Sequence, residues 1–181
     1  MKKRAALHNL GCKVNAYETE AMRQLLEEDG YEIVPFEPGA DVYVINTCTV
    51  TNIADRKSRQ MLHKARKMNP DAIVVAAGCY VETADGGVEK DPAIDIILGN
   101  NQKNQLVSVI RDFEQKRAGK RAEEPSGVMT KKIDINHTKE YENLIIDRTE
   151  NRTRADIKVQ DGCNQFCTYC IIPFARGRVR S

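Results

Sequence analysis

The sequence predicts an α/β protein whose core is a parallel sheet. Compact apolar runs rich in β-branched residues, such as Val42 to Ile45 and Ile73 to Ala77, suit strands buried on both faces. Stretches with apolar residues at helical spacing separate them, and strands that alternate with helices argue for parallel pairing. At 181 residues, with 41% apolar and 30% charged side chains, the chain has room for one full domain and part of another.

Residues 4 to 10 read as a first short strand around Ala6 and Leu7. Asn15 opens a helix in which Tyr17, Ala21, Met22, Leu25 and Leu26 recur at helical spacing until Gly30 stops it. Tyr31 to Val34 and Val42 to Ile45 follow as strands. A second helix covers about Thr51 to Met68, with an apolar face of Met61, Leu62, Ala65 and Met68, and Asn69-Pro70 ends it. Ile73 to Ala77 and Ile94 to Leu98 supply two more strands, and Leu106, Val109, Ile110 and Phe113 mark a helix that ends before Gly119. Residues 1–118 are therefore expected to form one domain. Residues 119–150, charged and carrying Pro125 and Gly127, read as a linker with short strands at Ile133 to Ile135 and Leu144 to Ile146. A strand from Ala155 to Val159 then opens a further, incomplete unit over 151–181.

The formal charge of +2 is too small to point to a partner. No apolar run approaches the roughly 20 residues that span a membrane. The basic start, Met1-Lys2-Lys3-Arg4, is not followed by the apolar centre of a signal peptide. The chain is thus expected in the cytoplasm and off the membrane. In that setting its six cysteines point to metal binding or catalysis rather than to disulfides.

Three of the cysteines follow strands: Asn9-Leu10-Gly11-Cys12, Asn46-Thr47-Cys48 and Ala77-Gly78-Cys79. The separations of 36 and 31 residues are about one βα unit or slightly more, so in a parallel sheet these loops share the carboxyl edge, where open α/β folds bind ligands. Any one of them alone reads as a small buried hydrophobe. Together they can hold three irons of a cubane cluster and leave the fourth iron open. Cys163, Cys167 and Cys170 form a tighter triplet, Cys-x3-Cys-x2-Cys. Structural zinc usually takes four ligands, and no fourth Cys or His stands near, so a [4Fe–4S] cluster with one free iron fits, with a partial zinc site as the alternative.

The triplet, with Tyr169 just before its last cysteine, resembles the radical S-adenosylmethionine signature. The stretch from Arg152 to Gly177 resembles the methylthiotransferases of that class in particular. So do Leu10-Gly-Cys12-Lys-Val-Asn15, Asn46-Thr-Cys48-Thr-Val and Gly78-Cys79-Tyr80. The resemblance spans residues 7 to 181, with a variable linker between its two ends. It implies an N-terminal methylthiotransferase α/β domain followed by the truncated start of a radical S-adenosylmethionine (β/α) barrel. It implies two [4Fe–4S] clusters, an auxiliary one on Cys12, Cys48 and Cys79 and a radical-generating one on Cys163, Cys167 and Cys170. It also implies S-adenosyl-L-methionine as cofactor, with Tyr169 as a cofactor-binding residue. The expected partners are a tRNA anticodon stem-loop and an electron donor such as flavodoxin or ferredoxin.

Lys13-Val14-Asn15 with Tyr17-Glu18-Thr19-Glu20, and Thr49-Val50-Thr51-Asn52 with Asp55-Arg56-Lys57-Ser58-Arg59, resemble the branch that methylthiolates C2 of N6-threonylcarbamoyladenosine beside the anticodon. Other branches act on isopentenyladenosine in tRNA or on a ribosomal protein. Val81-Glu82 departs from the Ala-Gln expected after Cys79-Tyr80. With only 11 residues after Cys170, this chain is expected to be inactive alone. A reading from another class is a non-catalytic iron–sulfur or zinc-binding protein. The basic helix holds Arg56, Lys57, Arg59, Lys64, Arg66 and Lys67 against Asp55, and reads either as a solvated face or as a phosphate contact. Arg176, Arg178 and Arg180 invite the same two readings. His8, His63 and His137 are scattered and receive no ligand role.

Overall fold

The computed structural model describes residues 2–84, 86–119, 127–148 and 156–181; Pro125 and Ala155 lie outside them. The elements run β1 (Arg4–Asn9), α1 (Lys13–Glu28), β2 (Glu32–Ile33), β3 (Val42–Thr47), α2 (Asn52–Met68), β4 (Ile73–Gly78), α3 (Cys79–Thr83), β5 (Ile96–Leu98), α4 (Leu106–Gly119), β6 (Met129–Lys131) and α5 (Ile172–Arg176). The strands form one sheet in the order β2-β1-β3-β4-β5-β6, every pair parallel.

Both faces of the sheet are covered, which explains why β4 and residues 42–45 of β3 are continuously apolar rather than alternating. On one face Val42, Val44 and Val75 pack with Met22 and Leu26 of α1 and with Leu106, Ile110 and Phe113 of α4. On the other, Tyr43, Ile45, Val74 and Ala76 pack with Leu62 and Ala65 of α2 and with Tyr80 and Val81 of α3. Successive residues of one strand thus feed opposite cores, as the period-2 pleat requires. The α2 helix starts at Thr51, whose side chain accepts the Ala54 amide at 3.1 Å, a standard N-cap. The chain leaves β1 towards β2 on one side and returns to β3 on the other. The connection order therefore switches direction between β1 and β3, the topological switch point beside which open α/β sheets bind ligands at the carboxyl edge.

The structure corrects the reading beyond residue 118. The sixth strand is Met129–Lys131, paired with β5 in the register Ile96↔Met129. The expected strands at Ile133 to Ile135 and Leu144 to Ile146 do not form; Ile135 and Leu144 are single buried anchors in irregular chain. This segment lies along α1: Tyr17 Oη donates to the Leu144 carbonyl at 2.9 Å, and the Asp147 amide donates to Gln24 Oε1 at 2.9 Å. The strand expected from Ala155 to Val159 is also absent over its described residues, so no barrel strand is observed. A strand exists through its hydrogen-bonded neighbour, and among the described residues none runs beside this stretch; Ile157 and Val159 stand 82% and 72% exposed. No helix among the described residues is long and apolar enough to cross a membrane.

Candidate functional site

The ladder register decides where the first three cysteines stand. Asn9 is level with Asn46, and Thr47 with Gly78. Cys12, Cys48 and Cys79 therefore follow three adjacent strands within a few residues of one another, at the carboxyl edge beside the switch point. Neighbouring strands lie about 4.8 Å apart, so the three ends span on the order of 10 Å. Two glycines with positive φ make the turns and allow close approach: a Cβ on Gly11 (φ +99°) would lie 2.7 Å from Cys48 Sγ, and one on Gly78 (φ +95°) would lie 2.5 Å from Asn46 Oδ1. Cys12 is the N-cap of α1, and its carbonyl accepts the Ala16 amide at 3.0 Å. Ser58 Oγ clamps Cys48, accepting from its amide at 3.1 Å and donating to its carbonyl at 3.0 Å. Cys48 and Cys79 are buried, whereas Cys12 is exposed.

Polar side chains that the apolar pattern does not reveal tie this edge together. Asn15 Nδ2 donates to the carbonyls of Leu10 at 2.7 Å and Thr47 at 2.9 Å, which bridges the approaches to Cys12 and Cys48. Asn46 Nδ2 donates to the Asn15 carbonyl at 2.9 Å. Asn100 Nδ2 lies 3.7 Å from Cys79 Sγ and donates to the Ala175 carbonyl at 2.6 Å, while its Oδ1 accepts from Lys103 Nζ at 2.5 Å.

Behind these asparagines lies a buried ionic cluster. Glu18, fully buried, pairs with Lys103 at 2.9 Å, Lys158 at 2.8 Å and Arg176 at 2.8 Å. Asp161 pairs with Lys158 at 2.8 Å and Arg176 at 2.9 Å. Arg176 Nη2 also donates to Asn15 Oδ1 at 2.6 Å. Burial pushes both carboxyls up, but Lys103 and Arg176 outweigh it at Glu18, and Arg176 and Lys158 at Asp161; both end below their ordinary range, Glu18 well below. Burial pushes the Cys79 thiol up, against the opposing pull of Arg176 and Lys103. Burial likewise raises the carboxyls of Glu82 and Glu142, which flank the cluster.

The second triplet sits on a loop whose ends are tied by the Asp161–Arg180 bridge, with both amide-to-carbonyl distances 2.9 Å. Inside it the Cys163 amide donates to the Gly177 carbonyl and the Cys170 amide to the Cys167 carbonyl, each at 3.0 Å. Phe166 takes a positive φ of 47° and packs edge-on against Phe174. Cys167 is exposed, and Tyr169 is 92% exposed. Arg176 and the Asn100 bond to Ala175 dock this loop on the edge that carries the first triplet. Among the described residues, no three His, Cys, Asp or Glu side chains are gathered as ligands of a single ion. The donor chemistry itself, three soft thiols in each set, suits an iron–sulfur cluster.

Two readings of the arginines are corrected. Arg176 and Arg180 are buried structural partners, neither solvated nor free for phosphate; only Arg178 of the three is exposed. Arg66 is turned from the helix face to Asp95 and to the carbonyls of Pro70, Ala72 and Ala93. Arg56, Lys57, Arg59, Lys64 and Lys67 remain exposed. The ionic cluster itself escaped sequence reasoning. Its signal was the run Asn15, Glu18, Met22 and Leu26, which continues the buried stripe of α1 through two polar residues.

The chain belongs to the family described as Uncharacterized protein family UPF0004, whose model matches residues 4–99. It is 46% identical over 176 residues to a Threonylcarbamoyladenosine tRNA methylthiotransferase MtaB of Bacillus subtilis, covering 97% of this chain and 37% of that relative. It is 40% identical over 181 residues to the protein of the same name in Aquifex aeolicus, covering 98% of this chain and 41% of the relative. A tRNA-2-methylthio-N(6)-dimethylallyladenosine synthase of Finegoldia magna is 32% identical over 177 residues, covering 94% of this chain and 36% of the relative. The chain thus spans about two fifths of the length of these curated relatives.

Proposed function

We propose that this chain is the cluster-bearing first part of a tRNA methylthiotransferase that modifies C2 of N6-threonylcarbamoyladenosine. Cys12, Cys48 and Cys79 hold an auxiliary [4Fe–4S] cluster. Cys163, Cys167 and Cys170 hold the second cluster, beside which Tyr169 meets S-adenosyl-L-methionine. When bound, these groups supply radical chemistry and a sulfur site. The protein's part is to bring both thiol sets to one sheet edge, to bury Cys48 and Cys79 of the first set, and to fix each loop with hydrogen bonds. The observation that carries the reading is the convergence of three cysteines from adjacent strand ends at the carboxyl edge beside the switch point, with the second cysteine loop docked on the same edge. The 46% and 40% identity to two relatives named for threonylcarbamoyladenosine, against 32% to one named for dimethylallyladenosine, supports the nucleoside. The anticodon stem-loop, a small electron-transfer protein and a cytoplasmic setting belong to the same proposal. So do a unit over 1–118, a linker over 119–150, the start of a second unit over 151–181, and the inactivity of this chain alone.

Anaerobic reconstitution with iron and sulfide tests it. Two clusters are expected; Ala at Cys12, Cys48 and Cys79 removes one, and Ala at Cys163, Cys167 and Cys170 removes the other. Stoichiometric zinc without sulfide in the natively isolated protein would overturn the cluster assignment. For the nucleoside, the whole protein is incubated with hypomodified tRNA and the products are read by mass spectrometry.

A further inference from the structure

We propose that Arg176, with Lys103, sets the electrostatic field at the cluster held by Cys12, Cys48 and Cys79, so that a residue of the second cysteine loop adjusts the reduction potential of the first. This rests on the reading of those three cysteines as cluster ligands.

Each cation reaches the cysteine edge through an asparagine, which meets a cysteine sulfur on the Lys103 side and the backbone ahead of two cysteines on the Arg176 side. The Arg176 guanidinium donates to Asn15 Oδ1 at 2.6 Å, and Asn15 holds the Leu10 and Thr47 carbonyls that lead into Cys12 and Cys48. Lys103 Nζ donates to Asn100 Oδ1 at 2.5 Å, and the Asn100 amide reaches Cys79 Sγ at 3.7 Å. Both cations are buried, so water screens them little. Their counter-ion is shared: Glu18 holds Lys103, Lys158 and Arg176 at once, and Asp161 takes Lys158 and Arg176 a second time. Lys103, Lys158, Arg176 and Arg180 thus face two carboxylates in direct pairing. A cluster on three thiolates is anionic and gains a further negative charge on reduction, so a fixed cation nearby favours the reduced form. Arg176 comes from the cysteine loop over 161–180, and the field at the first site therefore depends on that loop being docked. Arg176 acts here as a positioning and field-setting residue; it touches no reacting atom.

The test isolates one cluster by replacing Cys163, Cys167 and Cys170 with Ala. The protein is reconstituted anaerobically, and iron and sulfide are counted. The cluster is then titrated with dithionite, which delivers one electron per cluster, and followed by electron paramagnetic resonance. Failure of the parent protein to load a cluster would sink the ligand assignment before the field is tested. With the cluster loaded, Arg176→Gln and Lys103→Met are each expected to lower the reduced-to-oxidised ratio at fixed potential on the order of tenfold, 59 mV for a one-electron couple. Arg176→Lys should keep the parent value, and Glu18→Gln should shift it the opposite way. A merely structural role would move the variants without regard to the sign of the charge removed. Unchanged potentials in Arg176→Gln and Lys103→Met would overturn the proposal. So would loss of the cluster in both, because the residues would then build the cradle rather than its field.

Discussion

Glu18 shows how much one side chain can govern here. It is a fully buried carboxylate on a helix face otherwise filled by Met22 and Leu26, and three cations converge on it. Removing one partner of a buried ionic cluster strands the others; Glu18→Ala should cost about 3–5 kcal/mol of stability in urea unfolding. The carboxyl lies well below its ordinary range when folded, while in the unfolded chain it titrates near about 4.3. Its contribution is therefore fully present above that value and is lost as pH falls below it towards the folded pKa. The urea midpoint should decline more steeply below about pH 4.3 in the parent chain than in Glu18→Gln. Equal declines would mean that other carboxyls carry the acid sensitivity. The six cysteines could be found at this scale because their spacing is local or follows strand ends. Glu18 left a trace only as a member of the buried stripe of α1, and Asn100 and Lys103 left none, because a buried polar group is recognisable only once its partners are known.

Among the elements, β1, β3, β4 and the three long helices were legible from periodicity to within a few residues. Their burial is decided by the sheet's two covered faces, and the sequence carries that signal locally. The strand at Met129–Lys131 and the anchors Ile135 and Leu144 were not, because edge pairing and single contacts leave no period to read. The α2 helix divides in the same manner: its charge count is visible, but the direction each side chain takes is not. Arg66 faces inward and pairs with Asp95, which also accepts the Val74 amide at 2.8 Å. For the whole protein, Gln at Arg56, Lys57 and Arg59 should weaken tRNA binding and reduce its salt slope by about one for each phosphate contact removed. Gln at Arg66 should leave the slope alone and lower the melting temperature instead. A slope unchanged by the first three substitutions would return α2 to a solvated face.

At the scale of the molecule, and on the proposed cluster assignment, the two cysteine sets differ in what must exist before each can bind its cluster. Cys163, Cys167 and Cys170 lie within eight residues, whereas Cys12, Cys48 and Cys79 are separated by 36 and 31. Contacts across such separations must first overcome the entropy of closing long loops, and parallel pairing makes them late events in folding. The loop triplet can thus compete for metal while the chain is still loose, but the strand-end triplet has no thiol partners until β1, β3 and β4 are side by side. Metal supply and chain maturation are therefore coupled for one site and independent for the other. On refolding in iron and sulfide, the chain with Cys163, Cys167 and Cys170 replaced by Ala should gain its cluster absorbance only after its far-ultraviolet circular dichroism. The chain that keeps only the loop triplet should show no such lag. A newly made polypeptide short of Cys79 would carry two of the three thiols and nothing with which to close the set, so if the proposed assignment holds, iron reaches that site only after the sheet has formed.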